Sequence, residues 1–144
     1  MEQAEEGKQA PTRPRLSGTE LEEIDELTDR IIGAAIEVHR TLGPGLLESA
    51  YEECLGREFA LRGVSFERQK PIPLTYKGVG IDIGFRADFV VADKVVVELK
   101  SVDSLEPIHE AQVLTYLKLT GLRVGLLMNF NTRVLARSMR RLAL

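Results

Sequence analysis

Cysteine is nearly missing from this 144-residue sequence, which holds one, Cys54. A single thiol excludes an internal disulfide and any zinc site built from cysteines. Cys54 itself reads as a small apolar residue on a helix face. Long hydrophobic runs are missing as well. No stretch approaches the roughly 20 apolar residues that a membrane-spanning helix needs. The opening MEQAEEGKQAPTRPRLSG has no apolar run of the kind a secretory signal requires. These absences predict a cytoplasmic protein with no membrane partner. No Gly-Lys-Ser/Thr sequence occurs, so a P-loop is excluded. GVGIDIG at 78–84 lacks both the Gly-x-Gly-x-x-Gly spacing and the following helix of a dinucleotide fingerprint.

What is present suits one domain with a real core: 44% hydrophobic and 28% charged residues. The net charge of −3 conceals an asymmetry. Residues 1–29 carry nine acids against Lys8, Arg13 and Arg15, which leaves the remainder at +3. From Arg123 to Leu144 there are five arginines and no acid. A basic end permits a polyanionic partner, although a solvated face has the same composition.

Residues 1–18 are polar and rich in Glu, Gln, Pro and Gly, which predicts a disordered acidic tail before a single domain over 19–144. Thr19 and Glu22 have the spacing of a capping box. Leu21, Ile24, Leu27, Ile31, Ala35 and Val38 then predict an amphipathic helix to about Arg40. LGPG at 42–45 ends it. A second helix uses Leu47, Tyr51, Cys54, Leu55 and Phe59, and Gly63 closes it. From Val64 the period shifts towards two. VSFERQ and IPLTY are strand candidates, with Pro71 and Pro73 placing the second near an edge or bend. YKGVG reads as a turn. Residues 85–101, FRADFVVADKVVVELKS, read as a hairpin turning at Ala92–Asp93–Lys94. A third helix spans about Glu106 to Thr120, with Pro107 in its first turn and Gly121 after its end. RVGLLMNF is a fully apolar, central strand. Beyond Asn131 helix and strand stay open. The order predicts an α/β sandwich with a mixed sheet.

The hairpin carries the chemistry. Its strands are apolar except for Asp88 and, in the second, Glu98 and Lys100. Unpaired charge is costly to bury. Two carboxylates near adjacent strand ends can converge on Mg²⁺ or Mn²⁺, leaving coordination positions for water and substrate phosphate. The cation offsets a repulsion that would otherwise protonate one acid. Alternation puts Glu98 and Lys100 on one face, so the lysine can approach water or phosphate without being a ligand. Such a site activates water and stabilises charge growing on phosphorus. Taken alone, two acids and a lysine are better read as a buried ion pair or as strand ends reaching solvent.

The surroundings favour the site. DFVVADKVVVELKS resembles the core of the PD-(D/E)XK nuclease superfamily, with Asp88, Glu98 and Lys100 as its Asp and Glu-x-Lys. QVLTY resembles the Gln-x-x-x-Tyr element of its exonuclease-like branch, with Gln112 and Tyr116 one turn apart. Upstream, VHRTLGPGLLESAYEECL is similar to the signature of the GxxExxY family of small prokaryotic proteins, with Gly45, Glu48 and Tyr51 in the named positions. The likeness runs from about Ile24 to Asn131 and includes Asn129–Phe130.

The resemblance implies a restriction-endonuclease-like sandwich, a central mixed β-sheet flanked by helices. It implies a metal site from Asp88, Glu98 and the Leu99 carbonyl, with Glu48 joining from an N-terminal helix. Glu48 also suits a helix first turn for electrostatic reasons alone. Lys100 then orients or deprotonates water, and Gln112, Tyr116 and the C-terminal arginines hold the strand. Arg86 shares the face of Asp88 and can neutralise a phosphate or sit solvated at the rim. His39 is read as a cap of the first helix in preference to a phosphate contact. Tyr51 is read as core, its hydroxyl satisfied near Glu48. The expectation is a Mg²⁺-dependent nuclease, with Mn²⁺ as substitute, acting on DNA in preference to RNA; a homodimer is allowed. The rival is a module of the same fold that binds nucleic acid or protein without cutting. Intact clustered charge favours the enzyme.

Overall fold

The computed structural model describes residues 13–144; residues 1–12, most of the expected tail, lie outside the described residues. Helix α1 (Gly18–Leu42) buries Ile24, Leu27, Ile31, Ala34, Ala35 and Val38, a stripe at three- and four-residue steps. Leu21, assigned to that stripe from sequence, is 44% exposed. The capping box is formed two residues earlier than Thr19 and Glu22. Glu20 N–H donates to Ser17 Oγ at 3.1 Å, and Ser17 N–H donates to Glu20 Oε2 at 2.7 Å. The chain is extended at Ser17 and already helical at Gly18, so Ser17 is the residue whose hydroxyl can reach the free amides. Residues 13–17, counted with the tail, run along the domain. The Arg13 guanidinium donates to the Leu117 and Leu122 carbonyls, and Leu16 packs on the core.

Helix α2 (Glu48–Leu61) is followed by strand β1 (Phe66–Pro71). A separate small ribbon, β2 (Leu74–Tyr76) and β3 (Val79–Ile81), comes next. The expected YKGVG turn is narrower than read: Lys77 and Gly78 make it, and Val79 already pairs with Tyr76. Strands β4 (Arg86–Val91) and β5 (Val95–Lys100) form the predicted hairpin, then come helix α3 (Pro107–Thr120) and strand β6 (Val124–Asn129). The end that sequence left open is a 3₁₀ turn, Leu135–Ser138, and strand β7 (Met139–Ala143).

The five-stranded sheet has the order β1-β4-β5-β6-β7, parallel only between β5 and β6. It is the mixed sheet expected. Strand β1 is an edge, which is why it tolerates Pro71. One face, with Phe89, Val97, Leu99 and Leu126, packs on α1 and α2. The other, with Val90 and Val96, packs on Tyr116 and Leu117 of α3. A Cβ at Gly125 would lie 2.5 Å from Val113 Cγ1, so α3 reaches β6 only because that position has none. Among the described residues no helix is long and apolar enough to cross a membrane.

Candidate active site

The β4–β5 turn has Ala92 and Asp93 at φ 50° and 55°, and Lys94 N–H donates to the Val91 carbonyl at 3.0 Å. Two positive φ values give a turn whose twist matches that of the strands. The ladder runs Val91↔Val95, Val90↔Val96 and Phe89↔Val97, and there it stops. The next position sets Asp88 opposite Glu98, and side chains replace the ladder. Asp88 N–H donates to Glu98 Oε1 at 2.8 Å, and Leu99 N–H donates to Asp88 Oδ2 at 2.9 Å. Each acid thus satisfies a backbone donor that the parting strands leave without a carbonyl. Two acids stand in an apolar sheet because the sheet opens there.

Glu98 is buried, and that burial, with the charge of Asp88 second, pushes its carboxyl up to about 9. Asp88 is also raised, chiefly by burial, against the pull of the Leu99 N–H. Without a cation the pair retains a proton near neutrality.

Lys100 follows Glu98 on the same face. Its Nζ donates to Gln112 Oε1 at 3.0 Å, and Gln112 Nε2 donates to the Tyr116 hydroxyl at 3.1 Å. The strand end beneath it is fixed from β6. Phe130 N–H donates to the Lys100 carbonyl at 2.9 Å, and the Asn129 amide pairs with both backbone groups of Val102.

Glu48 opens α2, delivered by a tied loop. Gly43 and Gly45 take φ 69° and 94°, conformations suited to glycine. The Tyr51 hydroxyl donates to the Gly43 carbonyl at 2.6 Å and accepts Leu46 N–H at 3.2 Å. Ser101 Oγ donates to the Leu46 carbonyl at 2.7 Å, joining the loop to the end of β5. The Tyr51 ring stacks on Phe130 at 4.7 Å. Tyr51 is core as expected, and its hydroxyl is satisfied by the backbone of the loop that leads into Glu48. Glu48 is half-buried; desolvation raises its carboxyl, Lys100 opposes this, and Asp88 and Glu52 add to it. Glu48 therefore lies within electrostatic reach of the other acids and the lysine.

The family described as the PD-(D/E)XK nuclease superfamily matches residues 25–142. The chain belongs to the PD-(D/E)XK nuclease superfamily. Its members are generally nucleases that use divalent metals. No curated protein and no solved structure matches the chain.

Three further expectations for this PD-(D/E)XK domain concern Arg86, His39 and the C-terminal arginines. Arg86 is exposed at the β1 side, its guanidinium 3.4 Å from the Gln69 carbonyl. His39 is not a helix cap: Gly43 N–H closes α1 on the His39 carbonyl, and the His39 ring bonds Thr132 O at 2.7 Å. Of the C-terminal arginines, Arg141 pairs with Asp25 at 2.6 Å and Arg140 with Glu110 at 3.6 Å. Two of the five arginines from Arg123 onward are thus paired within the domain.

Two residues were missed. Glu52 is buried one turn after Glu48, and Gln69 on β1 donates its amide to Glu52 and, at 3.2 Å, to Asp88 Oδ1. The four-residue spacing of Glu48 and Glu52 was a visible signal of a shared face. A glutamine in an exposed strand position gives none.

Among the described residues no three Asp, Glu, His or Cys side chains form a ready-made metal cage. Mg²⁺ does not need one: it keeps several waters and takes one or two carboxylates. Asp88 and Glu98 each keep one oxygen off the backbone amides, and burial opposes their charge. That donor set fits a hard dication.

Proposed function

We propose that this chain is a Mg²⁺-dependent nuclease of the GxxExxY branch, hydrolysing phosphodiester bonds in DNA in preference to RNA. The observation that carries the reading is the opening of β4 from β5 at Asp88 and Glu98, with Lys100 on the same face. Asp88, Glu98 and the Leu99 carbonyl would hold Mg²⁺, or Mn²⁺ in its place, with Glu48 in support. The cation supplies positive charge against the phosphate and acidifies water.

The protein's own groups do the rest. An ammonium has three donors, and Gln112 Oε1 takes one from Lys100. The other two are free for the attacking water and a non-bridging phosphate oxygen, so Lys100 orients the water and meets the developing charge. Tyr116 accepts from the Gln112 amide nitrogen, which keeps the Gln112 oxygen turned to Lys100. The Tyr116 hydroxyl proton remains available to the substrate strand. Arg86, at the rim, offsets phosphate charge farther along it. The preference for DNA rests on the likeness of Gln112 and Tyr116 to the exonuclease-like element.

The test is cleavage of single- and double-stranded DNA and of RNA in Mg²⁺, in Mn²⁺ and in chelator. Wild type is compared with Glu98→Ala purified identically. Metal-dependent cutting by wild type and none by the variant is expected. Wild type that binds DNA and leaves it intact would make the chain a binding module instead.

A further inference from the structure

Gln69 has a backbone that its surroundings do not explain. It lies inside β1 with φ 52°, a left-handed conformation that glutamine rarely adopts. No residue is inserted there. Arg68 pairs with Phe89 and Lys70 with Ala87, so the register is the same on both sides. Gln69 alone is left out of the ladder, at the position opposite Asp88. An outlier of this kind persists where neighbouring contacts hold it, commonly beside a functional site.

Its side chain gives the reason. The amide nitrogen donates both to Glu52 Oε1 and to Asp88 Oδ1. Both acceptors are carboxylates, so the nitrogen end must face them, and both amide hydrogens are used. Glu52 is also ion-paired with Arg68, whose Nε lies 3.3 Å from the same oxygen. Asp88 Oδ2 is already fixed by Leu99 N–H. The amide therefore fixes the second oxygen, and stands between two acids that would otherwise repel.

We propose that Gln69 is a positioning residue for Asp88, aiming Asp88 Oδ1 at the cation and separating Asp88 from Glu52. The proposal rests on the reading of Asp88 as a ligand. An outer partner of a metal-binding carboxylate typically accounts for 10–100-fold in metal affinity.

The test uses the full chain with Gln69→Asn and Gln69→Gly. Asparagine accepts positive φ more readily and keeps the amide, but is one methylene too short to bridge. Glycine takes φ 52° freely and has no amide, and it decides the matter should the first variant fold poorly. Two measurements are made. Hydrogen exchange in the metal-free protein reads the Leu99 N–H, which depends on Asp88 staying in place. Calorimetric titration with Mn²⁺ reads affinity.

Faster exchange at Leu99, with Val96 and Val97 unchanged, and Mn²⁺ affinity about 10–100-fold weaker are expected. Rescue by asparagine, or loss of protection spread through the sheet, would mean that Gln69 serves only the strand and would overturn the proposal. Unchanged Leu99 exchange in both variants overturns it too. Wild type that binds no Mn²⁺ defeats the metal reading instead, and Leu99 exchange alone then decides whether Gln69 positions Asp88.

Discussion

Asp88 and Glu98 face each other at the first position past the β4–β5 ladder, each accepting a backbone N–H from the strand opposite. Their carboxyls also act on each other directly, by charge and by a side-chain hydrogen bond. Each needs to be an acceptor for its strand to end properly, yet burial and mutual repulsion resist both being charged. A protein that needed only the strand ends could use two neutral acceptors. Keeping two carboxylates stores an electrostatic deficit that a dication would relieve.

Asp88→Asn tests that deficit. The asparagine oxygen can still accept Leu99 N–H, while the charge is gone and the Gln69 amide loses one of its two acceptors. Without metal the variant should melt above wild type, by about 2–4 °C for each 1 kcal/mol gained in a domain near this size. With millimolar Mn²⁺ wild type should rise through binding to the native state, and the variant should not. Calorimetry with and without Mn²⁺ reads both. An undiminished Mn²⁺ response in Asp88→Asn removes Asp88 as a ligand.

The pH dependence has a definite sign. The Glu98 carboxyl is raised from 4.5 to about 9 in the folded protein. The native state therefore holds a proton that the unfolded chain releases. Its contribution is fully present below about 4.5 and is lost as pH rises towards about 9. Metal-free melting temperature should fall across that window, and Glu98→Gln should flatten the fall. An equally steep decline in Glu98→Gln would assign the effect to other groups.

The site was legible in sequence where chemistry and period conflict. Asp88 and Glu98 stood out because an apolar period-two pattern has no place for carboxylates, and the Glu98–Lys100 spacing fixed a common face. Gly45, Glu48 and Tyr51 were visible as a signature, and the structure gives each a separate physical task. Glycine turns the loop, tyrosine ties it, and glutamate starts the helix beside the acids. Gln69 was not legible, because its significance is a backbone angle and two distant carboxylates. The fate of the C-terminal arginines was hidden for a similar reason: Asp25 and Glu110, their partners, are remote in sequence. Strand β7 lacked a clean period because its edge position leaves Arg140 and Arg141 exposed.

Tyr51→Phe isolates the tie. The ring can keep its stack on Phe130, while the Gly43 carbonyl and Leu46 N–H lose their shared partner. A loss of about 1–3 kcal/mol is expected from leaving such groups unpaired. Urea unfolding should show a lower midpoint with an unchanged slope. Mn²⁺ affinity should weaken as well, because Glu48 is delivered by that loop. An unchanged midpoint would show that Ser101 and the glycines hold the loop without the hydroxyl.

Lys100 separates binding from chemistry. It is proposed to act on water and on the transition state and not as a ligand, so Lys100→Ala should keep Mn²⁺ binding. Cleavage should drop about 10²–10⁴-fold, the range for losing a general acid–base group or a preorganised electrostatic contact. Glu98→Ala should lose both, since it removes a proposed ligand. Gln112→Ala should fall between, because the ammonium remains but loses the acceptor that holds it 3.0 Å away. Calorimetric Mn²⁺ titration and DNA cleavage on the same preparations distinguish the three. A contaminating nuclease would survive every one of these substitutions, so equal cutting by wild type and Lys100→Ala counts against the mechanism. Lys100→Ala that fails to bind Mn²⁺ would instead make the lysine part of what holds the acids in place.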